Sequence, residues 1–503
     1  MHRNLIHVLA FLCASLLTAQ NITISKEFPA LKTHVPIKIM DEDEQTFCVL
    51  RYNKKIHDFT FERREKNTGQ ITLFISLQLD SVNANWFDYE NLTYLAFVHQ
   101  HCFYFLFEKA INKKKSLFLK SIDSNGNVSS FSELASIEKE GDDKEISLVF
   151  SRTENNKLLL VVEHYNQNAT AKKMVMLFDL SKCRRDYTIK LPMENQSTGY
   201  SGNYVCTENK VFYVMGVLSP NGYRKTYNIS GEVPSPIYET KILSLNYLDL
   251  ETQEMGKTHV CMEDKTEIKS LTLVPNQKGV LLSVMYVANR SSEAKTLAFK
   301  NQLFDKRLTQ SIYCRQQLMD SVLAEQLTFY DGSERNQASD KEYRFYKSIC
   351  YANEVYHLVE RQHDFMYNEL VLWHSNVMTG AIVEQKIIPR KIYYPPRQTR
   401  YKHWQEVNVV IKDSALCLFL MEEKGNAKIT RNDFDFSSTK MLEHLWDAQL
   451  MQYSLSKKTG YQKKSLYKNG AFEAVQMDFE GNKGAYIFYL HKKGKEKFAI
   501  STL

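Results

Sequence analysis

The sequence predicts an all-β protein, a β-propeller of seven or eight four-stranded antiparallel blades, and three observations predict it. The chain of 503 residues carries 29 Tyr and 28 Phe against 18 Gly and 10 Pro, a bias towards residues that suit pleated, half-buried surfaces. A hairpin made of one apolar strand, a short polar turn and a second, stronger apolar strand recurs eight times. A second hairpin with its own turn residues alternates with the first. Two hairpins per repeat make four antiparallel strands, and regular repetition of such units describes a propeller.

In chain order the first hairpin reads FCVLRYNKKIHDFTF at 47–61, YLAFVHQHCFYFLF at 94–107, SLVFSRTENNKLLLVV at 147–162 and NYVCTENKVFYVMGV at 203–217. It returns as SLTLVPNQKGVLLSVMYV at 270–287, YKSICYANEVYHLVE at 346–360, VVIKDSALCLFLM at 409–421 and VQMDFEGNKGAYIFYL at 475–490. Its turns, near Asn53, Gln100, Asn155, Asn209, Gln277, Asn353, Asp413 and Asn482, stand about 61 residues apart on average. The second hairpin turns at 64–70, 123–127, 180–184, 250–254, 304–308, 376–380, 456–460 and 491–495. Gly and Asn in several of these supply the left-handed backbone that tight turns need. The last strands, AYIFYL and KFAISTL, are placed to close the ring with the N-terminal segment, which trims the blade count by one. A tandem of β-sandwiches is the competing architecture, but it does not readily repeat the same two hairpins eight times.

One stretch breaks the pattern. LTQSIYCRQQLMDSVLAEQL, 308–327, sets Ile312, Leu318, Val322, Leu323 and Leu327 at helical spacing without Gly or Pro, which predicts a helical insertion.

The N-terminus has a basic start at Arg3, an apolar run from Leu5 to Leu17 and small residues up to Ala19. This is the pattern of a secretory signal peptide spanning 1–19, leaving 20–503 as a single β-propeller domain. The run is shorter than the roughly 20 apolar residues of a membrane anchor, and Leu12 stands where a lipidation motif at Cys13 has a small residue. No later run is long enough to span a bilayer, so the expectation is a monomer exported to the periplasm, cell surface or extracellular space. Loss of Arg3 takes the formal charge from +7 to +6, too weak a basic bias to imply nucleic acid.

Loss of Cys13 leaves eight of the nine cysteines. An even number in an exported chain permits disulfides, yet several lie in apolar strands (TFCVL, HCFYF, SALCLFL) where a thiol behaves as a small buried hydrophobe, so at most one or two bridges are expected. Sequons occur at Asn21, Asn91, Asn127, Asn168, Asn195, Asn228 and Asn289.

Hairpins that join two apolar strands through a polar turn containing Thr-Gly, as at 68–69, 379–380 and 459–460, resemble those of secreted bacterial β-propellers. The resemblance spans the mature chain and is one of pattern. The GH…WD pairs, SxDxGxTW boxes and recurring tryptophan motifs of better-defined propeller classes are missing.

The most unusual segment is IPRKIYYPPRQTRYKHWQ, 388–405, which contains no acid. Pro395 and Pro396 break any strand there, so it reads as a connection between blades. Arg390, Lys391, Tyr394, Arg397, Arg400, Tyr401, Lys402 and Trp404 are the candidate ligand-binding residues, because guanidinium forks match carboxylates and sulfates while aromatic rings match sugar faces. VHQHC at 98–102 suggests a metal site, but aligned with its sister hairpins HQH falls on the turn. There is no CxxC, HExxH, GxSxG, P-loop or EF-hand loop, and no metal or cofactor is implied. Asp41-Glu42-Asp43-Glu44 reads as a solvated lead-in. Glu342, His363 and Asp364 are possible acid–base groups, and His164, His259, His357, His374, His444 and His491 read as structural. These features predict a binding or interaction module for an unknown protein or glycan ligand, anionic or carbohydrate in nature. The competing reading is a carbohydrate-active or other hydrolytic propeller whose acids come from separate blades.

Overall fold

The computed structural model describes residues 22–30, 33–53, 55–56, 58–78, 94–111, 114–129, 132–138, 145–152, 157–165, 170–179, 184–191, 197–207, 209–217, 223–228, 231–236, 242–262, 266–289, 295–319, 343–363, 366–388, 390–393, 407–412, 415–428, 442, 447–456, 460–475, 478–480 and 485–502. These residues form a β-propeller of eight four-stranded antiparallel blades. Blade 1 is His34–Asp41, Thr46–Asn53, Asp58–Glu65 and Ile71–Ser76; blade 2 is Tyr94–His99, Cys102–Ile111, Lys114–Ile122 and Ser132–Glu138. Blade 3 is Glu145–Arg152, Lys157–Tyr165, Thr170–Asp179 and Arg184–Leu191; blade 4 is Ser197–Thr207, Lys210–Val217, Ile242–Asp249 and Met255–Cys261. Blade 5 is Thr266–Asn276, Gly279–Asn289, Lys295–Asp305 and Ser311–Leu318; blade 6 is Tyr343–Tyr351, Glu354–His363, Met366–Asn376 and Ile382–Ile388. Blade 7 is Asn408–Lys412, Ala415–Glu423, Ala448–Ser456 and Gly460–Lys468; blade 8 is Glu473–Val475, Ala485–Lys492, Lys495–Thr502 and the N-terminal Ile22–Ile24.

Each second strand is buried on both faces, which is why it reads as a continuous apolar run rather than an alternating one. In blade 1, Phe47 and Val49 join a cluster with Phe488 and Phe498 of blade 8, while Cys48, Leu50 and Tyr52 join Phe103, Phe105 and Phe107 of blade 2. Comparable apolar clusters fill the other seams, from Phe178 and Leu160 against Leu119 to Leu420 and Tyr453 against Leu358. First strands of successive blades lie against one another, Glu145–Arg152 beside Ser197–Thr207, then Thr266–Asn276, then Tyr343–Tyr351, and so form the inner ring.

The phase of the repeat differs from the sequence reading at both ends. The unit at 47–61 is the second and third strands of blade 1; the first hairpin turns one strand earlier, through Glu42–Gln45, where the Asp43 carboxylate accepts the N–H groups of Gln45 and Thr46 at 2.7 Å each. Of the 41–44 acids only Glu44 is exposed, and the other three are not a solvated lead-in: Asp41 pairs with Lys66 at 2.5 Å and Glu42 with Arg63 at 2.8 Å, and Asp43 holds the turn. The N-terminal strand does close the ring, but as the outer strand of blade 8, pairing Ile22, Thr23 and Ile24 with Ser501, Ile500 and Ala499. It completes the eighth blade instead of trimming the count, and the turn at 491–495 joins the second and third strands of that blade.

The helical insertion is overturned over Ser311–Leu318, which is the outer strand of blade 5, paired with Lys295–Asp305. Ile312 and Leu318 are exposed on this edge. Their helix-like spacing carries no packing signal, and ladder hydrogen bonds to the neighbouring strand decide the conformation. Residues 320–327 lie outside the described residues. VHQHC is a tight hairpin, with Gln100 and His101 both at positive φ, 48° and 60°, and His99 paired with Cys102. His101 points outward and lies 3.5 Å from Glu42. Cys48, Cys102, Cys261, Cys314, Cys350 and Cys417 are free thiols.

Two local devices tie neighbouring blades together. Glycines in the turns before the outer strands of blades 1, 2 and 6 lean on the outer edge of the preceding blade: Gly69 against Ser25 and Phe28, Gly126 against Leu73 and Ile75, Gly380 against Tyr313 and Arg315. All three have positive φ, at 72°, 88° and 67°, which explains the Thr-Gly turns at 68–69 and 379–380. His357 is buried between the Ser283 hydroxyl of blade 5 at 3.1 Å and the Ser348 hydroxyl at 2.8 Å, and burial pushes its pKa down to about 3.

Each device generates a prediction. A Cβ on Gly380 meets the Tyr313 ring at 2.4 Å, whereas one on Gly494, also at positive φ, meets nothing within 4 Å. Both alanine variants bear the backbone strain, so urea unfolding should show Gly380→Ala losing about 1–3 kcal/mol more than Gly494→Ala. His357 stays neutral in the fold below pH 6.5 while the unfolded chain takes up a proton, so its contribution is full above about pH 6.5 and is lost as pH falls towards 3. Between pH 6 and 4, His357→Gln should show a stability slope shallower than wild type by about 1.4 kcal/mol per pH unit; parallel curves would refute the assignment.

Candidate binding site

The two faces of the ring are built differently. On one face, two-residue turns join His99 to Cys102, Thr207 to Lys210, Asn276 to Gly279, Tyr351 to Glu354 and Lys412 to Ala415. On the other leave all the long connections: Ser76 to Tyr94, Val217 to Ile242, Leu318 to Tyr343, Ile388 to Asn408 and Glu423 to Ala448. One of them carries its own hairpin, Tyr223–Asn228 paired with Gly231–Pro236. Short turns leave no room for a recognition surface, and functional residues concentrate on long connections held by a rigid scaffold.

Two of these connections meet at the seam between blades 6 and 7. The basic-aromatic segment begins there. Arg390 is fully buried and pairs with Glu360, itself buried in the second strand of blade 6. Lys391 is half-buried, and that burial lowers its pKa; its carbonyl accepts the Leu442 N–H at 2.8 Å. Ile392 bridges in parallel to the same Leu442, which belongs to the Glu423-to-Ala448 connection. At the far root, the Val407 N–H donates to the Tyr346 hydroxyl at 3.0 Å. Tyr346 is the extra residue of a β-bulge between Phe345 and Lys347, which turns its side chain into the blade 6–7 cluster. Both ends of the connection are thus pinned to one seam.

Of the candidate residues, Arg390 and Lys391 are therefore placed, Arg390 as a buried ion-pair partner and Lys391 at the surface edge. Tyr394, Arg397, Arg400, Tyr401, Lys402 and Trp404 lie outside the described residues, as do Glu342 and Asp364; so does the side chain of His363.

Sequence reasoning missed Arg344. It stands in the first strand of blade 6, directly across from Glu360, and donates to Glu360 Oε2 through Nε at 3.2 Å and Nη2 at 2.8 Å. Its side chain is 53% exposed, so it reaches the surface beside the pinned connection. Extending the YANE hairpin at 351–354 back along its strands pairs 344 with 361; the bulge between Phe345 and Lys347 shifts the register by one and brings Arg344 opposite Glu360. On the opposite face of the same blade, Tyr343 donates to Glu369 at 2.9 Å and Arg361 lies 3.8 Å from it, and burial raises the Tyr343 hydroxyl well above its usual pKa.

No family model matches this chain, and no curated protein matches it. Among solved structures it is similar to the β-propeller domain of the Trilobed protease from Pyrococcus furiosus, with 12% identity over 87% of this chain and 99% of that one and a TM-score of 0.36. It is also similar to the Nup133 β-propeller domain of Vanderwaltozyma polyspora, with 10% identity over 82% and 100% and a TM-score of 0.35. A europium-containing methanol dehydrogenase shows 9% identity over 96% and 94% and a TM-score of 0.38. At this level none of the three lends its chemistry to this chain, and the fold rests on the strand pairing itself.

Proposed function

We propose that this protein is an exported binding module that takes an anionic or carbohydrate ligand on the face carrying the long connections, at the corner above blades 6 and 7. One observation carries the reading: the acid-free segment 388–405 is pinned at both roots, by Glu360–Arg390 and by Tyr346–Val407, on the face where all the long connections leave. Both described roots of the connection are tied to blade 6, Arg390 to Glu360 and Val407 to Tyr346, which anchors the connection at one place on the ring. Arg397, Arg400 and Lys402 supply charge, and Tyr394, Tyr401 and Trp404 supply ring faces for sugars or planar anions. The signal-like leader at 1–19 supports export. No helix among the described residues is long and apolar enough to cross a membrane.

The test is a screen of the mature chain against anionic and neutral glycans, with an Arg397→Ala, Arg400→Ala double variant alongside. Wild type is expected to retain one or more acidic glycans, and the double variant to weaken that binding by about tenfold or more. Full retention by the variant ends the assignment to this segment.

A further inference from the structure

At the seam of blades 6 and 7, two guanidinium groups sit on one carboxylate. Arg390 takes Glu360 Oε1, and Arg344 takes Oε2 through Nε and Nη2. Glu360 and Arg390 are sealed from solvent at 1% and 0% exposure, while Arg344 extends outward at 53%. The bonds of Arg344 to Glu360 use Nε and Nη2 and leave Nη1 unengaged by that carboxylate.

The other acids of blade 6 are engaged elsewhere. Glu354 is 2.8 Å from His374 and Glu384 is 2.5 Å from Lys386, while Glu369 is held by Tyr343 and Arg361. Arg344, Arg390 and Glu360 thus bring two cations to one anion, at a seam whose connecting segment contains further cations and no acid from 388 to 405.

We infer that Arg344 is the anchor for the acidic group of the ligand, a carboxylate or sulfate ester on an oligosaccharide. This rests on the reading that the long-connection face binds ligand, and it moves the charge-recognising contact from the connection to the blade wall. Glu360 fixes the inner edge of the Arg344 fork, and Arg390 fixes Glu360 from beneath. The outer edge is thereby presented in one orientation, which suits the planar, two-oxygen geometry of a carboxylate or the oxygens of a sulfate. The buried Glu360–Arg390 pair keeps its bonds when the ligand arrives, so binding costs no buried ion pair.

The experiment is calorimetric titration of the mature chain with a sulfated oligosaccharide, a uronic-acid oligosaccharide and a neutral oligosaccharide of matched length. The proteins compared are wild type, Arg344→Ala, Arg344→Lys and the Arg397→Ala, Arg400→Ala double variant. Arg344→Ala is expected to lose about tenfold or more in affinity for the acidic probe that wild type prefers, with neutral-probe binding unchanged and the melting temperature kept; Arg344→Lys should recover part of the loss. The preferred acidic probe identifies carboxylate or sulfate as the group read. Arg344→Ala binding within twofold of wild type overturns the inference. If that happens while the double variant loses binding, the proposed site stands and Arg344 falls; the converse pattern retains Arg344 and dismisses the 388–405 contacts. Wild type that binds none of the three probes overturns both.

Discussion

The fold depends on how its first and last blades are joined. Every seam of the ring, that between blades 8 and 1 included, is crossed by continuous chain, but blade 8 is assembled from both ends of the sequence, and non-covalent contacts hold its C-terminal strands to the N-terminal strand and to blade 1 at the 8–1 seam. At that seam Arg51 grips Glu496 with a two-pronged pair at 3.0 and 2.8 Å, and its Nε lies 2.8 Å from Glu62. Arg64 adds bonds to Glu62 at 2.9 Å and to Glu496 at 3.2 Å, and Tyr489 donates to Glu496 at 3.1 Å. Burial opposes the Arg51 charge, but Glu62 and Glu496 outweigh it and raise its pKa. Two cations and two anions, all buried, balance each other. Desolvating four charges is costly, and a seam of this kind contributes little net stability over a well-packed apolar one. Its effect lies in specificity: the Glu496 carboxylate fits between Arg51 and Arg64 only when Lys495–Thr502 stands in one register beside blade 1.

The surrounding contacts agree with that register. Phe28 and Phe498 lie over the Arg64 guanidinium at 5.2 and 4.7 Å, so rings from both ends of the sequence cover the blade 1 charge that pairs with Glu496. Gly69 fits against Ser25 and Phe28 and offers its carbonyl to Arg64 at 2.9 Å. A parallel pairing of Lys38–Met40 with Asp478–Glu480 locks the inner edge of the same seam. Closure is thus specified from centre to rim.

Much of this was legible in the sequence. The second strands announce themselves as FCVL, FYFLF, LLLVV and LCLFLM because both faces of each are buried, and the turns announce themselves through Asn, Gly and Thr. What failed were the places where local pattern and tertiary pairing disagree. The run FCVLRYNKKIHDFTF resembles a complete hairpin because its third strand is also apolar, which hid the earlier turn held by Asp43. Ser311–Leu318 has helix-like spacing because an exposed outer strand is free of the alternation that burial enforces. At the candidate site the basic segment stood out by composition, but Arg390 proved to be a buried partner of Glu360. The exposed Arg344 was invisible because its meaning comes from a residue sixteen positions away across a bulged hairpin.

The most direct test of the closure is a double-mutant cycle on Arg51 and Glu496, with Arg51→Ala, Glu496→Ala and the double variant compared with wild type by equilibrium urea unfolding. If the seam works as described, each single change strands a buried charge and costs about 3–5 kcal/mol, and the double variant recovers part of that, giving a coupling energy of about 2 kcal/mol or more. Effects that add to within about 0.5 kcal/mol would show that the two residues act independently and that the ring is closed by apolar packing alone.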